Sequence, residues 1–349
     1  LHKEYRRQRQ MCIRDRFEGT YNELLSSNTS TGNALRNKHN LKENIREANH
    51  FYNIGPVTQN NLNNVKTSIP KHVLTVLTGV AGSGKSTLVK AGFENNDHTI
   101  FIDQKAVQGS NRSNLLTYLG VFDSVRSYFS KETGLNKAMF SYNSKGACPN
   151  CGGKGYIKTE LAFMGDFSQT CEVCHGKRYK QEVLDATIDG YSIADVLNLT
   201  VDEGIIFFDK KNDIKSKLQS VSKTGLNYMS LGQPLSTLSG GEIQRVKLGQ
   251  HLDEEIKNSI FIFDEPTTGL HESDIPILME CFDDLIDQNN TVILIEHNLS
   301  IMCEADWIID VGPGPGLDGG KVQFSGTPKN FIDSSETLTS KHLKRYIKQ

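Results

Sequence analysis

The sequence predicts an α/β fold, a parallel-sheet core split by an inserted cysteine-rich module, and three observations carry that expectation. The runs Val73-Leu74-Thr75-Val76-Leu77-Thr78, Ser259-Ile260-Phe261-Ile262-Phe263 and Thr291-Val292-Ile293-Leu294-Ile295 are nearly continuous in apolar and β-branched residues, which suits strands buried on both faces. The first ends in a glycine-rich loop and the others in acids, Asp264-Glu265 and Glu296, so polar chemistry collects where the strands stop. Between the first run and the others lie two Cys-x-x-Cys pairs, Cys148/Cys151 and Cys171/Cys174.

Composition sets the outer limits. At 349 residues the chain has room for roughly two domains. Lys+Arg 39 against Asp+Glu 41 leaves a formal charge of −2, so affinity for nucleic acid needs a local basic surface rather than the net field of the molecule. No apolar run reaches the roughly 18 to 20 residues of a membrane span, and the start Leu1-His2-Lys3-Glu4 lacks the apolar core of a secretion signal, so the expected location is cytoplasmic. Cys12, Cys281 and Cys303 stand singly while the other four cysteines pair, which suggests metal chemistry in a reducing compartment rather than a disulfide framework.

Residues 1–16 contain Arg6-Arg7-Gln8-Arg9-Gln10-Met11-Cys12-Ile13-Arg14-Asp15-Arg16, a string with the charge of a nucleic-acid arm. It fits no element and is read as a non-native leader. Phe17-Glu18-Gly19-Thr20 then reappears as Phe324-Ser325-Gly326-Thr327, each followed by apolar residues and a Ser/Thr cluster. The second copy closes the core, so residues 17–53 are expected to be the tail of a preceding core of the same kind plus a linker; chance similarity of two turn-rich segments is the alternative.

Gly79-Val80-Ala81-Gly82-Ser83-Gly84-Lys85-Ser86 matches G-x-x-x-x-G-K-S between a strand and a helix opening at Thr87-Leu88. Glycines there let backbone N–H groups close around phosphate oxygens, so Gly79, Gly82, Ser83, Gly84, Lys85, Ser86 and Thr87 are the expected contacts of a nucleoside triphosphate. Lys85 is expected on the β/γ-phosphates and the Ser86 hydroxyl on Mg²⁺. Asp264 can hold the metal through water, and Glu265 can polarise the attacking water. Adjacent acids ending a strand also serve as helix caps; the phosphate loop and the following Pro266-Thr267-Thr268-Gly269-Leu270-His271 favour the chemical reading. His297 can reach the γ-phosphate.

The spacing of the cysteine pairs, with residues 152–170 between them, falls within that of four-thiolate zinc sites, so Cys148, Cys151, Cys171 and Cys174 are the expected Zn²⁺ ligands. Cys171-Glu172-Val173-Cys174-His175 also matches a haem-attachment string, and a lone Cys-x-x-Cys can be a redox site; the matched second pair argues against both. Around this module Arg126, Lys131, Lys137, Lys145, Lys154, Lys158, Lys177, Arg178 and Lys180 interleave with Tyr128, Tyr142, Tyr156, Phe163 and Phe167. That mixture suits either a DNA-contacting surface or an ordinary solvated face. The expected division is core at 54–140 and 226–349, with the inserted module at 141–225.

Ser239-Gly240-Gly241 ahead of Glu242 puts small residues at a second helix start, another anion site, and Leu238 to Glu242 is the signature of ATP-binding cassette (ABC) ATPases. From about Phe17 onward the chain resembles the C-terminal half of the UvrA family, the damage-sensing excinuclease ATPases of bacterial nucleotide excision repair. The carrying residues are Asn61-Leu62-Asn63-Asn64-Val65, the phosphate loop, Ile102-Asp103-Gln104, Arg112-Ser113-Asn114 and the cysteine pairs ending Gly176-Lys177-Arg178-Tyr179. Ile193 to Leu197, Leu238 to Leu248, Asp264 to His271, Glu296-His297-Asn298 and Ala305 to Asp310 complete them. The resemblance implies an ABC-type P-loop ATPase core with an inserted zinc-binding module, Ser239, Gly240 and Gly241 closing over ATP held by a second cassette, and Gln104 coupling the γ-phosphate to the insertion. It also implies a DNA-facing hairpin between the cysteine pairs, double-stranded DNA as ligand and the repair helicase of the excinuclease as partner.

Some segments depart from the family pattern. Leu115-Leu116-Thr117 replaces the usual Pro-Ala-Thr, and Met164-Gly165-Asp166-Phe167 lacks the family's proline. Phe140 to Cys148 and Gly232 to Ser236 are more similar to compact UvrA-like paralogues linked to drug resistance. Damage recognition in DNA repair is therefore the first expectation and a resistance protein whose partner is not damaged DNA the alternative; the ATPase of a membrane transporter fits poorly with the cysteine insertion.

Overall fold

A computed structural model of the protein describes residues 17–36, 40–105, 113–161, 165–254 and 256–348. The leader expected at 1–16 and the expectations at Arg112, Phe163 and Met164 lie outside the described residues, as do the side chains of Lys158 and Phe167. The strands, in chain order, are β1 (Phe51–Gln59), β2 (Leu62–Pro70), β3 (Leu74–Thr78), β4 (Thr99–Ile102), β5 (Tyr156–Leu161) and β6 (Gly165–Thr170), then β7 (Thr187–Ile188), β8 (Tyr191–Ser192), β9 (Ile260–Asp264), β10 (Thr291–Ile295), β11 (Trp307–Gly312) and β12 (Lys321–Gly326). Two compact units result, one from the chain up to Ile100 together with Asn258 onward, the other from Phe101–Lys257.

The first unit is organised by a sheet of order β12-β11-β3-β10-β9-β4. β11, β3, β10 and β9 run parallel, and β12 pairs antiparallel with β11. Every residue of β3 and β10 is buried, as their unbroken apolar runs require. Helix Ile275–Asp287 repeats apolar residues at helical spacing and buries Leu278, Phe282, Leu285 and Ile286, with the Phe282 ring 4.8 Å from Phe263 of β9. Register decides what this sheet can do. Ile295 pairs with both Asp264 and Leu77, so the carboxyl ends of β3, β10 and β9 finish level with one another, and Asp310 of β11, paired with Thr78, lies at the same level. Open α/β sheets bind ligands at that end.

The two Phe-x-Gly-Thr copies fold alike. Thr20 caps helix Tyr21–Ser26 and Thr327 caps helix Pro328–Ser334, each accepting from the backbone N–H three residues on. In both, the glycine lies under the phenylalanine ring, where a Cβ would come within 2.8 Å of Cζ.

The second unit has its own apolar core, in which Phe129, Phe140, Phe208, Leu218, Val221 and Leu226 are fully buried. Capping boxes start its helices at Ser192/Asp195, Thr200/Glu203 and Ser239/Glu242. The cuts between the two compact units fall after residues 100 and 257. The cause is packing, because Leu115, Leu116, Val125 and Phe129 on one side and Ile243 and Val246 of the signature helix on the other share this core. The expectation for Tyr142 is corrected. It is 1% exposed and packs edge-on against Tyr179, so it cannot serve as a surface platform for a base.

Residues 40–50 strap onto the first unit through Asp306, whose side chain is 1% exposed. Its carboxylate accepts from the N–H of Leu74 at 2.9 Å and of Arg46 at 3.1 Å, and pairs with Lys42 and the Arg46 guanidinium, both at 3.4 Å. Removing the carboxylate leaves the buried Leu74 N–H unpaired and takes from Lys42 and Arg46 their buried partner, with only the more exposed Asp283 and Asp287 remaining to them. Asp306→Ala is expected to lower stability by about 3–5 kcal/mol in urea unfolding; a loss below about 1 kcal/mol would show that the strap contributes nothing.

Candidate functional site

The phosphate loop leaves β3 at Gly79 and enters helix Lys85–Phe93. Gly79 has φ +129, and a Cβ there would sit 1.9 Å from the Val311 carbonyl oxygen, so no side chain fits. Lys85 is 6% exposed, and its ammonium donates to the carbonyls of Gly79 and Val80, both at 2.9 Å. Burial pushes its pKa below the ordinary lysine value, while Glu265, Asp310 and Asp264 hold it up. The Ser86 hydroxyl lies 3.5 Å from Asp264 Oδ1, a hydroxyl and carboxylate pair of the kind that suits a hard cation such as Mg²⁺. The Ser83 hydroxyl is buried with no hydrogen-bond partner among the described residues.

Glu265 takes a left-handed backbone, φ +49, as the chain turns out of β9, and its N–H is tied to the Ile295 carbonyl at 2.9 Å. Its side chain is exposed, with Oε1 3.8 Å from His297 Nε2. Burial, then the charge of Lys85, lowers the His297 pKa, with Glu265 and Glu296 opposing, so the neutral ring is favoured near neutral pH. Glu296, 3% exposed, accepts from the N–H groups of Thr267 at 2.9 Å, His297 at 2.8 Å and Asn298 at 3.1 Å, and from the Thr267 hydroxyl. It thereby locks the turn after Glu265 to the turn carrying His297.

Within the second unit, Ser239 caps helix Gly240–Leu252, and its capping partner Glu242 is fixed by the Ser239 N–H at 2.8 Å and by the Tyr228 hydroxyl at 2.8 Å. Gln104 lies on the start of this helix, so close that a Cβ on Gly240 would stand 3.0 Å from its Oε1. The strand leading to Gln104 is held there by Gln244, which donates to the Ile102 carbonyl at 2.9 Å, and by Lys247, which pairs with Asp103 at 2.9 Å. The structure therefore gathers Lys85, Ser86, Asp264, Glu265 and His297 in one unit, and Gln104, Ser239, Gly240 and Gly241 in the other.

The four paired cysteines are buried and converge, with all Sγ atoms within 4.8 Å of one another. Cys148 and Cys171 stand 4.0 Å apart, Cys151 and Cys174 3.7 Å. A tetrahedral ion about 2.3 Å from each sulfur would space the sulfurs about 3.8 Å apart, so the donor set fits Zn²⁺. The backbone N–H of Cys174 and the amide of Asn150 draw the Cys171 thiol down to about 6, while burial pushes Cys174 up to about 12, as expected of thiols confined in one small space. β5 and β6 form an antiparallel hairpin from Tyr156↔Thr170 to Leu161↔Gly165, rooted on this cluster by the N–H of Cys171 to the Gly155 carbonyl at 3.0 Å.

The family model described as "ABC transporter" matches residues 62–268, a span that holds the phosphate loop, the signature and Asp264-Glu265. Over 364 aligned residues the chain is 42% identical to the UvrABC system protein A of Clostridium perfringens (strain 13 / Type A), covering 94% of this chain and 39% of that protein. It is 40% identical over 366 residues to the UvrABC system protein A of Bacillus subtilis (strain 168), covering 95% and 38%. The solved structure of UvrA2 from Deinococcus radiodurans matches with a TM-score of 0.87 at 37% identity, over 95% of this chain and 44% of that one. The chain belongs to the UvrA family of ABC ATPases. It spans about two fifths of the length of the curated relatives it matches.

In this UvrA cassette the basic residues divide. Arg126 and Lys137 are both paired with Asp123, and Lys177 pairs with Asp195 at 3.4 Å. Arg178 lies over the Tyr142 ring at 5.3 Å, Lys154 is exposed and Tyr156 is 38% exposed beside the hairpin root. Sequence reasoning missed Asp310 as a site residue. It is 3% exposed, its pKa raised by burial, and its charge acts on Lys85. The signal was present, since Asp310 follows an apolar strand as Asp264 and Glu296 do. No helix among the described residues is long and apolar enough to cross a membrane.

Proposed function

We propose that this UvrA cassette binds and hydrolyses ATP with Mg²⁺ and, together with a second cassette, binds double-stranded DNA in an ATP-dependent way during damage recognition in nucleotide excision repair. The observation that carries the reading is the convergence of Lys85, Ser86, Asp264, Glu265 and His297 at the level ends of parallel strands. The N–H groups of Gly79, Gly82, Ser83, Gly84, Ser86 and Thr87 surround the phosphates, and Lys85 exchanges its two carbonyl contacts for phosphate oxygens. Ser86 and Asp264 hold Mg²⁺, which when bound offsets charge on the phosphate oxygens. Glu265 accepts the proton of the attacking water, and neutral His297 donates to the γ-phosphate.

Ser239, Gly240 and Gly241 form an anion-binding helix start for ATP held by another cassette, and Gln104, seated on that start, couples γ-phosphate occupancy to the inserted unit. The partner cassette is a preceding half of the same protein, whose tail is residues 17–53, or a second copy. The matching fold of the two Phe-x-Gly-Thr copies supports the first source. Cys148, Cys151, Cys171 and Cys174 hold a structural Zn²⁺ that fixes the root of the β5/β6 hairpin, which faces DNA. Kinship with proteins named UvrABC system protein A supports the repair role, the repair helicase as partner and a cytoplasmic location.

Glu265→Gln is expected to keep ATP affinity while cutting turnover at least about 100-fold, and Lys85→Ala to abolish binding. Native turnover by Glu265→Gln would show that the base is misassigned. Elemental analysis should find about one zinc per chain, absent from Cys148→Ser/Cys171→Ser; an ordered hairpin in metal-free protein would exclude a structural metal. Replacing Lys154, Lys177 and Arg178 by alanine should weaken DNA binding and flatten its salt dependence by about one log unit of slope per lost phosphate contact. Unchanged affinity and slope would remove these residues from the DNA surface.

A further inference from the structure

The phosphate loop is held from outside by groups that belong to no nucleotide-binding motif. Asn61, at the turn between β1 and β2, donates its side-chain amide to the carbonyl of Gly82 at 3.3 Å and to that of Gly316 at 3.1 Å. The Gly316 N–H donates to the same Gly82 carbonyl at 3.1 Å, and the Gly320 N–H to the Ser83 carbonyl at 2.9 Å. Two segments distant in sequence therefore meet on two consecutive carbonyls of the loop.

The consequence follows from peptide geometry. A trans peptide is planar, with its C=O and N–H pointing in opposite directions. Fixing the Gly82 and Ser83 carbonyls outward turns the N–H groups of Ser83 and Gly84 to the other side. Ser83 N–H does face inward, toward the Val80 carbonyl at 3.2 Å, the same carbonyl that receives the Lys85 ammonium. The contact leaves no slack. A Cβ on Gly320 would stand 2.2 Å from the Asn61 carbonyl oxygen, one on Gly319 3.0 Å from Ser83 Cα, and one on Gly84 2.9 Å from Asn61 Oδ1. Gly84 has φ +103 and Gly320 φ +72, conformations that favour glycine.

We propose that Asn61, with the turn Gly316 to Gly320, is a positioning element for the phosphate loop, aiming its amides at the triphosphate before the nucleotide arrives. The inference rests on the reading of Gly79 to Ser86 as a nucleotide site. Preorganised donors bind without a reorganisation cost, so loosening them weakens phosphate binding in particular.

The test measures Mg-ATP affinity by calorimetry for the intact chain, Lys85→Ala, Asn61→Ala and Asn61→Asp, with thermal melting of each without nucleotide. Asn61→Ala is expected to weaken ATP about tenfold, the scale of a lost hydrogen bond in an ordered site. Asn61→Asp should weaken it further, because it keeps the shape and sets a carboxylate against two carbonyls. Nucleotide-free melting should shift little in either variant, which separates aiming of the loop from general stability. Native ATP affinity in both Asn61 variants, with Lys85→Ala inactive in binding, overturns the positioning role alone. ATP binding unchanged in Lys85→Ala overturns the nucleotide site and the positioning role with it. Should Asn61→Ala fail to fold, the isosteric Asn61→Asp decides: an affinity equal to the native one refutes the proposal.

Discussion

One nearly buried ammonium sets the terms for the unit that holds the phosphate loop. A charge left without partners in a protein interior costs several kcal/mol, on the order of 5 or more, so Lys85 can exist there only if its surroundings answer it. Two loop carbonyls do so directly, and Glu265, Asp310 and Asp264 do so through their field. Those acids reach it because Asp264 ends β9 and Asp310 of β11 pairs with Thr78, the last residue of β3. The level strand ends, the sharp exit at Gly79 and the left-handed turn at Glu265 all follow from bringing acids and a lysine to one spot without collapsing the space a triphosphate needs.

Much of this is legible in the sequence where one residue type has one use. The G-x-x-x-x-G-K-S string and the paired cysteines need no tertiary information, because glycine torsions and thiolate spacing are local properties. The buried strands can be read from unbroken apolar runs. What cannot be read depends on partners distant in sequence. Asn61 lies 21 residues from Gly82 and 255 from Gly316, and an asparagine in a turn carries no sign of what it will meet. Tyr142 reads as a surface aromatic among basic neighbours until the core of the second unit encloses it.

The inserted unit solves a different problem. Its hairpin pairs two short strands, which alone are marginal in water. They are rooted on the thiol cluster, whose loops need Gly153 against the Tyr142 carbonyl and Gly155 against the Gly176 carbonyl, so close backbone packing lies where the hairpin begins. The same second unit places Gln104 on the start of helix Gly240–Leu252, and Gln244 and Lys247 of that helix tie down the residues that lead to it.

The Asp306 cluster has a consequence for how such chains diverge. Two cationic side chains and two main-chain amides share one buried carboxylate. A neutral residue at 306 would leave Lys42 and Arg46 without a buried partner, and neutral residues at both of those would leave the buried carboxylate two main-chain amides and no countercharge. Positions 42, 46 and 306 are thus bound into a single heritable unit, and descendants that abandon it should do so in clustered replacements rather than one substitution at a time.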